Sequence, residues 1–221
     1  TFVYGAAAAE ISSDITLQQY GFFKPLDGQF ADNVVVQNKN GPRDFLPREP
    51  VAPLIGGMEQ TNVGMELQIT QEYTGQSTHL CYLVPMWKEY LWFDTKTDSP
   101  YADTSQGTTV DKIIDGTVYN RPVSLIAGVA NIGSDTNWTR LELAQANWYG
   151  FGRLAWNPAA DADSITEDWI ALTFGQDEDV ASCLKTLLDE SWEIYQSYTS
   201  PYAMGMTMDP SHFSPDLSSR N

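Results

Sequence analysis

The chain is 221 residues long, 42% hydrophobic and 12% aromatic, enough apolar surface for a folded core, which excludes intrinsic disorder. Acidic residues outnumber basic ones by 29 to 12, and the resulting formal charge of −17 excludes a protein that reads DNA or RNA through its phosphates. The apolar stretch 118–129 is broken by Asn120, Arg121, Pro122 and Gly128 well short of the roughly 18 residues of a membrane span, so no bilayer crossing is expected.

The chain opens in the apolar run Thr1-Phe2-Val3-Tyr4, with no initiator Met, basic region or signal-peptide pattern, and is expected to belong to something longer. Phe2-Val3-Tyr4 reads as a strand end, Ile15 to Phe23 as a helix, Asn33 to Gln37 as a buried strand, and Met65 to Thr70 as a strand with alternating apolar residues. Leu80 to Phe93 reads as a helix, and after a polar stretch from Thr95 to Asp111 a further buried strand is predicted over Ser124–Val129. Leu141 to Leu154 is an aromatic-rich helical segment, Ser164-Ile165-Thr166-Glu167 has the spacing of a capping box, and Val180 to Tyr195 carries apolar residues at helical intervals.

This alternation of strand and helix favours parallel strands with helical crossovers, in a doubly wound sheet or a barrel. A (β/α)8 TIM barrel takes about 250 residues, and about four strand candidates precede the helices, so the expectation for a barrel is roughly half of one followed by helices. The expected division is 1–163 for the half barrel and 164–221 for the start of a helical region. Half a barrel exposes strand edges and a core face, so the isolated chain is expected to be poorly soluble.

The densest polar segment, Asn38 to Glu49, follows directly on a predicted strand, where ligands bind in parallel α/β architectures. Its Lys39, Arg43 and Arg48 could hold an anionic group or form surface ion pairs with Asp44 and Glu49. Glu72 follows the next predicted strand, and Asp44 and Glu72 are separated by about the length of one strand-helix-strand step, roughly 30 residues. Two carboxylates on one rim suggest glycoside hydrolysis, in which one acid protonates the leaving oxygen and another carboxylate activates water or attacks the sugar.

Other signals are bland. Gly150-Phe151-Gly152-Arg153-Leu154-Ala155 has the spacing of a dinucleotide fingerprint but sits inside a helical pattern. His79 and His212 lack a neighbouring Ser or Cys nucleophile and read as structural. Cys81 and Cys183 lie in apolar surroundings without the spacing of a zinc site and are expected to be buried thiols. Trp138, Trp148, Tyr149, Phe151 and Trp156 could stack on sugars, although aromatics so spaced more often pack a core. Asn137-Trp138-Thr139 is a glycosylation sequon, meaningful only in a chain secreted by a eukaryote.

Five segments in order carry a resemblance: Lys39 to Phe45, Arg48-Glu49-Pro50, Gln68 to Gln76, Pro85 to Glu89, and Ala144 to Pro158. Together they resemble the α-glucuronidases of glycoside hydrolase family 67, over Phe2 to about Pro215. The resemblance implies a (β/α)8 barrel flanked by an N-terminal domain and a mostly helical C-terminal region, of which this chain would be the C-terminal half of the barrel and the start of the helical region. It implies removal of α-1,2-linked 4-O-methyl-D-glucuronic acid from the terminal xylose of xylan-derived aldouronic acids, with inversion, without a metal or organic cofactor, by a homodimeric full-length enzyme.

By the same resemblance Asp44 and Glu72 match the two carboxylates that activate water, and Lys39 the lysine that faces the sugar acid. The general acid is a glutamate on an earlier strand, before Thr1, so the isolated chain is expected to be inactive. The other reading is a catalytically inactive protein that binds uronates or xylo-oligosaccharides on the same fold. Two positions depart from the family pattern: Arg43 stands where an apolar residue is expected, and Arg140-Leu141-Glu142-Leu143 replaces a turn bearing glycine and histidine.

Overall fold

The computed structural model describes residues 17–42, 45–69, 72–76, 78–130 and 139–200, with single positions 132, 134, 136, 137, 210, 211, 216 and 218. Three strands are described: β1 (Val35–Lys39), β2 (Asn62–Gln68) and β3 (Ile126–Val129), in the order β1-β2-β3. β1 and β2 are parallel, with Val35 opposite Asn62 and Lys39 opposite Glu66. β3 runs the same way, since Met65 N–H donates to Leu125 O at 3.0 Å and Ile69 N–H to Val129 O at 2.8 Å. The expected strand at Phe2-Val3-Tyr4 lies outside the described residues. The predicted strand at 33–37 begins two residues later, because Val34 N–H is taken by Ala31 O in a turn.

Seven helices are described: α1 (Gln18–Phe23), α2 (Pro53–Gly57), α3 (Val84–Trp92), α4 (Val110–Ile114), α5 (Gln145–Trp156), α6 (Ala162–Phe174) and α7 (Glu178–Thr199). Among them α2 and α4 were not anticipated. Each is a five-residue helix, too short for periodicity to register, and Pro53 supplies the fixed φ that starts α2. The predicted capping box at Ser164 is corrected: Asp161 is the N-cap of α6, its carboxylate accepting Ser164 N–H at 2.9 Å, and the helix therefore begins before Ser164. Asp177 caps α7 in the same way through Asp179 and Val180 N–H, with Glu178 and Asp179 complementing the helix dipole. Gly175, at φ +89°, ends α6 in a conformation that other residues adopt with strain.

Contacts divide the chain into two compact units. The first comprises residues up to Phe45, Glu49–Leu67 and Tyr90–Ala127. Its buried apolar groups include Leu54, Ile55 and Met58 around α2 and Val110, Ile113 and Ile114 of α4. Tyr119 Oη donates to Gly56 O at 2.7 Å, and Lys24 Nζ to Gly57 O at 2.6 Å. Burial would raise the Asp27 carboxyl, but Gln60 and Glu59 N–H, Thr61 and Lys24 outweigh it and hold its pKa below the ordinary value. Gly64 leaves room for Leu125, whose side chain a Cβ there would meet at 2.7 Å.

The second unit comprises Leu46–Arg48, Gln68–Glu89 and the chain from Gly128 onward. Helices α5, α6 and α7 pack in succession, Ile165, Trp169 and Ile170 of α6 and Leu188, Trp192 and Tyr195 of α7 being buried. Gly150 allows the close approach of α5 to α3, since a Cβ would fall 2.1 Å from Val84 Cγ2. Gly128 does the same for β3 and α5: a Cβ would meet Ile69 Cδ1 at 2.5 Å and the Phe151 ring at 2.8 Å. Cys81 is buried as expected, and burial pushes its thiol pKa up. Cys183 is exposed on α7, which corrects the expectation of two buried thiols. Trp156, 91% exposed, likewise does not pack a core.

Gly128→Ala should destabilise the folded protein by about 1–3 kcal/mol through overpacking. Adding Phe151→Leu should recover part of that loss in thermal melts, whereas strictly additive losses would show that the close approach is not the cause. Iodoacetamide should modify Cys183 in the folded chain and reach Cys81 only after unfolding; equal labelling rates for both would contradict the packing around Cys81.

Candidate active site

Strand register decides which side chains share a face. Partners in a parallel pair lie on the same side of the sheet, so Gln37 and Lys39 share a face with Gly64 and Glu66, while Val36 and Asn38 lie opposite with Val63 and Met65. The latter face is buried throughout. The former carries the hydrophilic groups, and Gln37 Nε2 donates to a carboxylate oxygen of Glu66. Lys39, half-buried, is the last residue of β1, and its ammonium stands 4.5 Å from the centroid of the Phe45 ring. An aromatic face stabilises a cation there without neutralising it.

The segment after β1 is closed at its base, where Ala52 N–H donates to Asn40 O at 2.9 Å. Gly41 packs directly on Glu49, whose carboxylate oxygen would lie 1.9 Å from a Cβ at position 41. Glu49 is buried, and its carbonyl accepts from Tyr90 Oη at 2.8 Å. Asp44 and Arg43 lie outside the described residues.

In the second unit, Gln68 ends β2, and its side-chain amide donates to Glu72 Oε2 at 3.3 Å. Glu72 opens a single 3-10 turn, Glu72–Thr74, and is half-buried. A carboxylate is a proton acceptor, which is the chemistry a general base acting on water requires. Lys39 thus belongs to the first unit and Glu72 to the second, each at or just beyond the carboxyl end of its strand. Gln37, Glu66 and Gln68 were missed as candidates. Their signal was the polar alternation at 37, 39 and at 66, 68, which becomes meaningful only when the two strands are set in register.

The remaining motifs are structural in these surroundings. His79 Nδ1 pairs with Tyr198 Oη at 3.2 Å, and its ring meets that of Tyr195 edge-on. His212 and Trp138 lie outside the described residues. Gly150 and Gly152 lie within α5, away from the strand-to-helix turn that a dinucleotide site needs. Asn147 accepts Leu83 N–H at 2.8 Å and donates to Cys81 O at 3.0 Å, and Lys88 Nζ donates to Pro158 O at 2.8 Å. Among the described residues no group of three or more His, Cys, Asp or Glu side chains could hold a metal ion, and no helix is long and apolar enough to cross a membrane.

Comparison with known proteins places these features in a family. The glycosyl hydrolase family 67 middle domain matches residues 1–138, and the family 67 C-terminus matches residues 139–221. The chain is 42% identical over 225 residues to the probable alpha-glucuronidase A of Aspergillus flavus, covering 100% of this chain and 26% of that protein. It is 44% identical over 202 residues to the probable alpha-glucuronidase A of Neosartorya fischeri, covering 90% and 23%, and 42% identical over 202 residues to the alpha-glucuronidase A of Emericella nidulans, with the same coverage. The chain thus spans about a quarter of the length of these relatives. It belongs to glycoside hydrolase family 67.

Proposed function

We propose, from that membership, that the protein carrying this chain is an inverting α-glucuronidase. It removes α-1,2-linked (4-O-methyl)-D-glucuronic acid from xylan-derived xylo-oligosaccharides. The observation that carries the reading is the match of the family 67 middle domain to residues 1–138 and of the family 67 C-terminus to residues 139–221. The relatives' names supply only the α-glucuronide; the linkage and the xylan-derived oligosaccharide follow from the resemblance to the family. Residues 1–163 are read as the second half of a (β/α)8 barrel and 164–221 as the start of the helical region.

In this reading Lys39 neutralises the uronate carboxylate. Its ammonium is a point charge that needs no fixed fork geometry, and Phe45 limits the water around it. Asp44 and Glu72 activate the water that attacks the anomeric carbon from the face opposite the leaving xylose. An inverting reaction needs about 6.5–9.5 Å between the acid and base carboxyl groups to admit that water. The general acid is a glutamate on an earlier strand of the full-length protein, where it protonates the departing oxygen.

In the full-length protein, Asp44→Asn and Glu72→Gln should each lower turnover by about 10²–10⁴-fold, for substrates with good and poor leaving groups alike. A wild-type protein that binds aldouronic acids but releases no uronic acid would instead establish the non-catalytic binder. Lys39→Met should weaken glucuronic acid binding about tenfold or more and leave neutral xylo-oligosaccharides nearly unaffected, as read by calorimetry. Equal losses for both ligands would make Lys39 a structural lysine.

A further inference from the structure

Glu72 is a half-buried carboxylate on a long side chain, and its use on water depends on where that carboxylate points. Its backbone belongs to a compact turn of the second unit. Thr78 N–H donates to Gly75 O at 2.9 Å, and Gly75, at φ +84°, leaves room for the His79 ring, which a Cβ there would meet at 2.1 Å. Tyr195 Oη donates to Tyr73 O at 3.5 Å. These contacts fix the backbone of the turn; they do not reach the Glu72 carboxylate.

The side chain of Gln68 does reach it, Nε2 donating to Glu72 Oε2 at 3.3 Å. Gln68 is buried and is the last residue of β2. The residue after it, buried Ile69, donates its N–H to Val129 O at 2.8 Å, and Gly128 packs against the Ile69 side chain. The donor thus stands on a strand end pinned to the neighbouring strand, and the acceptor on a turn four residues further on, all within the second unit.

We infer that Gln68 is the positioning residue for Glu72, turning its carboxylate toward the water that attacks the glycoside. This role rests on the catalytic reading of Glu72 given above. The residue type suits the task. A lysine or arginine at 68 would neutralise the base that it orients and a glutamate would repel it, whereas an amide donates a hydrogen bond without adding charge. An amide also carries an acceptor, so one side chain can serve Glu72 ionised through Nε2 and protonated through Oε1. Without the donor the Glu72 side chain can take other rotamers, and a displacement of about 1 Å at a reacting group costs much of its effect.

Two substitutions in the full-length protein test this role. Gln68→Met keeps the length of the side chain and removes the donor. It should lower kcat for release of uronic acid from an aldouronic acid about tenfold with KM changed less than about threefold, and should cost less than about twofold when Glu72 is already replaced by Gln. Gln68→Glu keeps the shape and adds a charge. It should move the acid limb of the pH–rate profile up by about one pH unit, because a second carboxylate disfavours ionisation of Glu72 and the base is then lost at higher pH. Wild-type kcat in Gln68→Met, an acid limb that stays in place in Gln68→Glu, or the same loss with and without Glu72→Gln, as a residue that only supports the fold would give, would each overturn the inference. If wild type releases no uronic acid, or Glu72→Gln turns over as wild type does, the catalytic reading fails instead. Melting temperatures of wild type, Gln68→Met, Glu72→Gln and the double variant then decide the pairing, and strictly additive shifts overturn it.

Discussion

Setting Lys39 opposite Glu66 across β1 and β2 fixes which side chains share a face, because a slip of one residue would exchange Gln37 and Lys39 for Val36 and Asn38. Burial enforces the observed register. Val36, Val63 and Met65 are removed from water together, and the alternative would expose them while burying a lysine and a glutamate. At about 25 cal/mol per Å² of apolar surface, that cost far exceeds any single ion pair at the strand ends. The polar face is thus a by-product of a hydrophobic choice.

The motif residues away from the candidate site serve the scaffold. Lys88 is buried and spends its ammonium on the carbonyl of Pro158, which ties the Pro85–Glu89 motif to the end of the Ala144–Pro158 motif. Asn147, from that second motif, satisfies both the N–H of Leu83 and the carbonyl of Cys81, a stretch of backbone with no strand to pair with. A buried amide that closes two backbone groups is costly to replace, since its loss leaves both unsatisfied.

Much of this arrangement could be read from the residues alone, and the exceptions have physical causes. The long helices and the three described strands announced themselves through apolar periodicity, with boundaries displaced by turns and caps such as the Ala31–Val34 hydrogen bond and Asp161. Helices α2 and α4 left no periodic trace, being little more than one turn each. Cys183 was misjudged because its neighbours Val180, Leu184 and Leu187 are apolar, yet Val180 and Leu187 are themselves exposed on the same stripe of α7. Lys39 was expected in the segment after a strand ending at Gln37, but β1 runs on through it, and Glu72 opens a 3-10 turn four residues beyond the end of β2. Glu66 and Gln68 escaped notice because a lone polar residue within an apolar strand has meaning only beside its neighbour.

The contact between Gly41 and Glu49 has a consequence for how this segment can diverge. Any side chain at 41 must displace not only the carboxylate of Glu49 but also its Cβ, which would stand 2.7 Å away, and Glu49 is buried with its backbone carbonyl held by Tyr90. Position 41 therefore cannot gain a side chain while Glu49 remains. In a lineage of related enzymes the two should be inherited as a linked pair, and a mutant library aimed at reshaping the strand-end segment would recover functional diversity only where both codons vary together.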